Sequence, residues 1–271
     1  MIDPNNQPLN EDPFIEDFTI EQYRELLRLA KVNYQFVPYE SIPFGEKFIL
    51  WRHDCDFSLN RSLKLAEIES EEGVASTYFI NPHCEFYNLL EATQAKLVEH
   101  ILEMGHSLGL HFDAGFHETS SEAELEEQIA FEASMLEYFF GVKPFAFSFH
   151  NPDEALLAYE DETYGGLLNC YSKKFKKEIP YCSDSNGYWR YRRLREVLHD
   201  ATDPCLQVLT HPGWWQNRPM LPMERADRCI KGRGEANRAL YVSSLKRMGR
   251  RNIGYDETGN QTALEGNSLD D

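Results

Sequence analysis

Phe48-Ile-Leu-Trp-Arg-His-Asp-Cys-Asp56 joins four apolar residues to a polar group rich in His and Asp. A short apolar run of this length is typical of a strand that is buried on both faces, and we predict one over residues 48–51. His53, Asp54 and Asp56 follow at the end of this predicted strand. The rest of the chain indicates which kind of sheet the strand joins.

Strands and helices alternate on the carboxyl side of this segment. Further strands are predicted at 74–80, 107–112, 144–149, 166–171 and 206–210, and helices at 60–72, 89–104, 122–140, 189–198 and within 223–248. Such alternation is typical of a parallel sheet, either a barrel or an open doubly wound form. Before the segment, Thr19 and Gln22 have the spacing of a capping box and predict a helix that reaches about Lys31.

The composition narrows the classes of partner. A net charge of −18 with 42% hydrophobic residues indicates an acidic globular protein, for which nucleic acid and anionic lipid are poor partners. No apolar run approaches the roughly 20 residues that span a bilayer, and the first residues lack the pattern of a secretory signal. The six cysteines contain no Cys-x-x-Cys pair and predict reduced thiols. Together these features predict a cytoplasmic protein without membrane insertion.

His and Asp recur where the predicted strands end: His53, Asp54 and Asp56; His111 and Asp113; His150; and His211. Each one alone is most simply explained as a turn, cap or packing residue. The carboxyl ends of parallel strands meet at one ligand-binding edge. The set therefore predicts a divalent metal site there, with Zn²⁺ as the leading case. Three protein ligands would leave a position for a water, whose pKa the metal lowers towards about 7.

Several motifs resemble those of the polysaccharide deacetylases (the NodB-homology or carbohydrate esterase family 4 proteins). They occur in the order that the family requires, within about residues 47–215. They are Arg52-His-Asp-Cys-Asp-Phe-Ser58, Gly73-Val-Ala-Ser-Thr-Tyr-Phe-Ile80, Gly105-His-Ser-Leu-Gly-Leu-His111, Ser148-Phe-His-Asn-Pro152, Ser183-Asp-Ser-Asn-Gly-Tyr-Trp189 and Leu209-Thr-His-Pro-Gly-Trp-Trp215. The resemblance implies a metal-dependent deacetylase.

The resemblance also implies roles for individual residues. Asp54 would be the catalytic base, while Asp56 and His111 would be metal ligands. His211 would be the general acid, and Asp184 would orient it and support its charged form.

Two positions depart from the family pattern. Gly115 stands where the family has a second metal-binding His, and His117 lies two residues beyond it. His150 stands where the family has an Arg that braces the catalytic Asp. We predict that His150 replaces the missing ligand, with His117 as the alternative. A third possibility is an incomplete metal site in a protein that is no longer an enzyme.

Three tryptophans bear on the substrate. The resemblance places Trp189 in the pocket wall, and Trp214 and Trp215 could stack on a sugar or simply pack at the edge of the barrel. We predict hydrolysis of the amide of an N-acylated sugar, most simply an N-acetyl-hexosamine in nucleotide-linked or lipid-linked form. The alternatives are a non-catalytic carbohydrate-binding protein on the same fold and a hydrolase of a formyl or cyclic amide.

These expectations combine into one α/β domain. We predict a distorted (β/α) barrel of the polysaccharide deacetylase type, with a helical amino-terminal extension and a carboxyl-terminal helix. The divisions are an extension with one helix at 1–46, the barrel at 47–215, a helical segment of the same domain at 216–253, and a mobile acidic tail at 254–271. The oligomeric state is not predicted.

Overall fold

The computed structural model describes residues 13–255. Their strands are β1 (Gln35–Phe36), β2 (Phe48–Cys55), β3 (Thr77–Ile80), β4 (Ser107–Phe112), β5 (Ala146–Phe149), β6 (Thr163–Tyr164), β7 (Leu167–Asn169), β8 (Tyr181–Ser183) and β9 (Cys205–Thr210). Their α-helices are α1 (Ile20–Asn33), α2 (Leu59–Glu71), α3 (Ala92–Glu103), α4 (Ala114–His117), α5 (Glu122–Phe140), α6 (Lys173–Glu178), α7 (Leu194–Asp200) and α8 (Pro222–Arg247).

The strands form one sheet in the order β6-β7-β5-β4-β3-β2-β9-β8, and β1 pairs with the start of β2. The described strand pairs are parallel, apart from β6 with β7. Helices α2, α3 and α5 connect successive central strands, because parallel neighbours need a crossover connection. The predicted α/β class is confirmed.

The sheet curls into an incomplete barrel. Three strands separate β2 from β7, so the two would lie about 19 Å apart in a flat sheet with strands about 4.8 Å apart. Nevertheless Nη2 of Arg52 on β2 is only 3.3 Å from the hydroxyl oxygen of Tyr171, which follows β7. Side chains from distant strands meet only if the sheet bends around them. A distorted barrel is therefore observed, as predicted.

Strand β2 is buried along its whole length and separates two environments. Side chains alternate between the faces of a strand. Trp51 faces the helices and donates its indole N–H to the hydroxyl of Tyr23 on α1, at 3.0 Å. Arg52 and Asp54 face the barrel interior, where the Arg52 guanidinium lies between the rings of Phe79 and Tyr171.

Three local predictions need correction. Strand β2 continues to Cys55, because β3 pairs with Arg52–Cys55 and holds these polar residues in the sheet. The helix predicted at 189–198 begins only at Leu194 and continues to Asp200. Trp189 precedes it in a loop, where it donates to the Asp17 carboxylate at 3.0 Å. Strand β8 and helix α6 were not predicted.

The predicted helix near the amino terminus is confirmed as α1, and the Thr19 hydroxyl accepts the Gln22 N–H at its start. Residues 1–12 of the predicted extension and 256–271 of the predicted mobile tail lie outside the described residues. The domain boundaries and the cytoplasmic location stay predictions. No helix within residues 13–255 is both long and apolar enough to cross a membrane.

Candidate metal centre and active site

Asp56 reaches the barrel mouth with its carboxylate free of a capping role. It follows the last residue of β2, and its backbone N–H donates to the carbonyl oxygen of Asp54 at 3.1 Å. The cap of helix α2 is Ser58, whose hydroxyl accepts the Arg61 N–H. The explanation of Asp56 as a helix cap therefore fails, and its side chain is available for other contacts.

Asp56, His111 and His150 bring three donor atoms together at the mouth. The Asp56 Oδ1 lies 3.0 Å from Nε2 of His111 and 3.3 Å from Nδ1 of His150, and the two nitrogens are 3.1 Å apart. At the Zn–N and Zn–O distances of about 2.0–2.1 Å found in proteins, two ligands of a tetrahedral site lie about 3.3–3.4 Å apart. The three residues therefore fit one small divalent cation with little movement.

The Asp56 carboxylate has an unmet requirement for a partner. Its Oδ1 is buried and makes no hydrogen bond of acceptable geometry with any described residue. Burial alone would raise the pKa of Asp56, but the nearby His111, His150 and His211 outweigh burial and hold that pKa well below its usual range. An ionised, buried oxygen that makes no hydrogen bond is a suitable ligand for a cation.

The neighbouring strand orients His111. His111 on β4 lies beside Ser148 on β5 in the parallel register, and its Nδ1 is 2.7 Å from the Ser148 hydroxyl. This contact occupies one ring nitrogen and leaves Nε2 facing Asp56. Such second contacts commonly orient metal-binding histidines. On the other candidate ligand, Nε2 of His150 contacts the side chain of Asn151 at 2.9 Å.

Asp54, the predicted base, lies deeper in the barrel beside this group. Its Oδ2 accepts a hydrogen bond of 3.0 Å from the fully buried Arg52 and lies 3.6 Å from Nδ1 of His111. In the family that the sequence resembles, an Arg at the position of His150 braces the catalytic Asp. Arg52 braces Asp54 instead. The signal was present in the sequence, because residues two apart on a strand share a face.

His211 and Asp184 form a coupled pair on the other side of the mouth. The fully buried Asp184 contacts Nδ1 of His211 at 2.6 Å and also accepts its backbone N–H at 2.9 Å. Nε2 of His211 lies 3.6 Å from the Asp56 Oδ2. Burial would lower the pKa of His211, but Asp184, with smaller contributions from Asp56 and Asp54, raises it to about 9.

His117, the alternative third ligand, lies elsewhere. Its ring is parallel to that of Phe112 at 5.3 Å, and its Nε2 contacts the Glu132 carboxylate on α5. Phe112 follows His111 on β4, so the two side chains point to opposite faces of the sheet. His150, and not His117, accompanies Asp56 and His111. The ligand assignment itself stays a prediction.

The tryptophan predictions need partial correction. Trp189 and Trp215 are only 1% and 0% exposed and pack around Phe18, so neither ring can floor a sugar subsite. Trp214 is 8% exposed and lies against Phe57, with ring centroids 4.7 Å apart. Phe57 directly follows Asp56, so Trp214 packs against the residue next to a candidate ligand.

Two concavities differ in their relation to the mouth. A groove of about 420 Å³ lies between the loops after β4 and β5, where Gly115, Asp153 and Leu156 line it. These loops follow the carboxyl ends of β4 and β5, so the groove lies at the same end of the sheet as the candidate centre, although no residue of that centre lines it. A smaller cavity of about 220 Å³, lined by Tyr39 and Phe145 among others, lies at the opposite ends of the strands. The larger groove is the better candidate for substrate.

Comparisons with known proteins give structural likenesses only. No family model and no curated protein matches the chain. A family 4 acetyl xylan esterase from Clostridium thermocellum, solved with a cobalt ion, matches at 13% identity over 75% of this chain and 85% of its own, with a TM-score of 0.40. A family 4 carbohydrate esterase from Bacillus anthracis matches at 16% identity over 91% of this chain and 93% of its own, with a TM-score of 0.42.

A pseudoenzyme of the same family from Bacillus anthracis also matches, at 16% identity over 71% of this chain and 62% of its own, with a TM-score of 0.40. These solved structures come from the family whose motifs the sequence resembles. TM-scores in this range carry no inference about activity, so the function must be judged from the geometry of the site.

Proposed function

We propose that the protein is a metal-dependent amide hydrolase that removes an acyl group, most simply acetyl, from the nitrogen of an N-acylated sugar or glycan precursor. One observation carries the proposal: two further candidate ligands and the His211–Asp184 pair converge on Asp56. Its Oδ1 faces His111 and His150, and its Oδ2 lies 3.6 Å from Nε2 of His211. The substrate class follows from the sequence motifs.

Asp56, His111 and His150 are the proposed metal ligands, and their oxygen and nitrogen atoms suit Zn²⁺ or a neighbouring first-row ion. A divalent metal bound there would polarise the acyl oxygen and lower the pKa of a water molecule. His111 and His150 must be unprotonated at the atoms that face Asp56. The contact between Nδ1 of His111 and Ser148 holds the ring so that Nε2 faces Asp56.

Asp54 is the proposed general base. It is 2% exposed, and Arg52 holds its Oδ2, so the carboxylate keeps one orientation and its charge is balanced. Attack of water on the acyl carbon forms a C–O bond and releases one proton. Asp54 takes up that proton, which is a general-base role for a positioned carboxylate.

His211 is the proposed general acid. Because its pKa is raised to about 9, it is cationic at neutral pH and has a proton to give. Asp184 holds Nδ1, so Nε2 is the nitrogen that points towards Asp56 and the mouth. When the C–N bond breaks, Nε2 donates its proton to the leaving nitrogen, and a free amino sugar and a carboxylic acid result.

The test uses the purified full chain loaded with Zn²⁺ or Co²⁺ and a panel of N-acetylated substrates, including chito-oligosaccharides and nucleotide-linked N-acetyl-hexosamines. We expect acetate release that depends on the metal and is absent after Asp56→Asn. Formylated and cyclic amides in the same panel test the other acyl groups. Metal-loaded protein that binds a sugar and releases no acid would instead support the non-catalytic carbohydrate-binding function.

A further inference from the structure

A second group of potential metal ligands lies outside the barrel mouth. It consists of His83 in the loop after β3, His117 at the end of α4 and Glu132 on α5. One ligand atom from each residue lies within 4.8 Å of the others. Nε2 of His83 is 2.8 Å from Glu132 Oε1, and Nε2 of His117 contacts the same oxygen.

This group lies on the other side of the sheet from the proposed catalytic metal. His117 stacks on Phe112, which faces away from the barrel interior, whereas the neighbouring His111 faces inward. Glu132 belongs to α5, a helix that packs against β4. The two ligand groups would therefore hold two separate ions.

Glu132 lacks a balancing charge. Its side chain on α5 is fully buried. Within residues 13–255 its ion-pair partners are His83 and His117, and no Lys or Arg pairs with it. Its Oε2 has no hydrogen-bond partner, and Nε2 of His83 makes no hydrogen bond of acceptable geometry. A buried carboxylate is costly unless it is paired or binds a metal. The group thus contains two buried polar atoms without a hydrogen bond, one on Glu132 and one on His83.

Aromatic packing holds both imidazoles in place. The His83 ring lies on Phe116 with centroids 3.5 Å apart and planes 10° from parallel, and the His117 ring lies on Phe112 at 5.3 Å and 8°. The two histidine side chains remain 20% and 15% exposed, so one side of the group is open to water. The ligands are ordered before any ion arrives.

We propose that His83, His117 and Glu132 form a second divalent metal site. Two histidines and one glutamate are a known zinc ligand set, and the open side leaves a position for water. The ion would tie the loops after β3 and β4 to helix α5. Cys84, next to His83, donates its thiol to the backbone oxygen of Asp56 at 3.0 Å. The site would therefore support the loop on which the proposed catalytic ligand Asp56 rests.

The test measures how many equivalents of zinc the protein binds. Chelator-treated full-length protein is titrated with Zn²⁺ alone, and we expect two equivalents for the wild type. The double variants His83→Gln/His117→Gln and Asp56→Asn/His150→Gln should each take up one equivalent. His199→Gln is the matched control, because that histidine side chain is 79% exposed, and it should keep two.

The outcomes separate this inference from the proposed function. A wild type that binds one equivalent, lost only in Asp56→Asn/His150→Gln, overturns the second site and leaves the hydrolase proposal standing. One equivalent lost only in His83→Gln/His117→Gln supports the second site and removes the catalytic centre. If a double variant fails to fold, anomalous diffraction from wild-type crystals grown with Zn²⁺ decides. A zinc peak bound by Glu132 supports the inference, and a peak at Asp56 alone overturns it.

Discussion

His53 and Asp54 are neighbours on β2, and their side chains enter two clusters of opposite character. His53 faces the helices, where its Nε2 lies 2.6 Å from Glu69 on α2 and its Nδ1 lies 2.7 Å from the Thr210 hydroxyl. Tyr78 donates to the other Glu69 oxygen at 2.8 Å, and Tyr23 bonds to Glu69 as well. No polar side-chain atom of these residues is left unpartnered. We call this group the closed cluster.

On the other face of β2 lies what we call the open cluster, formed by Asp54, Asp56, His111, His150 and His211. It likewise combines imidazoles with carboxylates, yet Asp56 Oδ1 has no hydrogen-bond partner, and Asp56, His150 and His211 are each 15% exposed at the side chain. Helices cover the closed cluster, and its polar side chains have hydrogen-bond partners within it. The open cluster ends at the barrel mouth, where a bound cation would satisfy the Asp56 oxygen. Partner satisfaction, more than residue type, separates a structural group from a reactive one.

Asp56→Asn, in the open cluster, should have the largest effect on metal binding and hydrolysis. Loss of the shared ligand should reduce metal affinity at the mouth by more than about 100-fold and hydrolysis to background. Thermal stability of the metal-free protein should change little, since Asp56 supports no helix cap. Metal analysis and acetate release measure both effects. Asp113→Asn is the matched control, because Asp113 also follows a strand but accepts backbone N–H groups of α4. Equal metal content in both variants would contradict the ligand role.

Asp54→Asn separates chemistry from metal binding within the open cluster. Loss of the general base should lower turnover by a factor of about 10²–10⁴, while the metal content stays at the wild-type level. Turnover numbers and metal analysis on the same preparation give both values. A variant with turnover near that of the wild type would reject Asp54 as the base.

Glu69→Ala tests the closed cluster. Removal of this carboxylate takes the acceptor away from the Tyr23 and Tyr78 hydroxyls and a close partner away from Nε2 of His53 in the interior, so the free energy of unfolding should fall by roughly 3 kcal/mol or more. Chemical denaturation measures the loss. Folded variant protein should still bind metal at the mouth with wild-type stoichiometry. If stability is unchanged and metal is lost, the assignment of the two clusters is reversed.

Of these variants, Asp184→Asn should lower activity least, and it should give the clearest change in the pH dependence of activity. The cationic form of His211 is present below its pKa of about 9 and is lost as the pH rises through that value, so activity should fall on the alkaline side. Without Asp184 the pKa of His211 should drop by roughly 1–2 units, because an opposite charge is lost. The alkaline limb of kcat/KM should then move to lower pH. If the alkaline limb of kcat/KM stays at the same pH, His211 is not the group whose loss of a proton reduces activity.

The location of the open cluster was predictable, and its composition was only partly so. His and Asp at the ends of parallel strands must share one edge of the sheet, and this prediction does not depend on details of loops. The choice between His150 and His117 depended on the path of the chain after β4, which carries His117 to α5. The role of Arg52 was overlooked, although its spacing from Asp54 was visible. Trp189 and Trp215 resemble sugar-binding residues in sequence but are buried in the structure.

The sequence alone determined what depends on near neighbours along the chain. The alternation of strands and helices, the cap of α1 at Thr19 and the placement of acid and imidazole groups at strand ends follow from periodicity and local hydrogen bonding. Tertiary structure decided which groups meet across strands. The curl of the sheet brings Arg52 to Tyr171, and side-chain alternation on β4 sends His111 inward and Phe112 towards His117 and Glu132. Such contacts join residues far apart in the chain, so packing of the whole fold sets them.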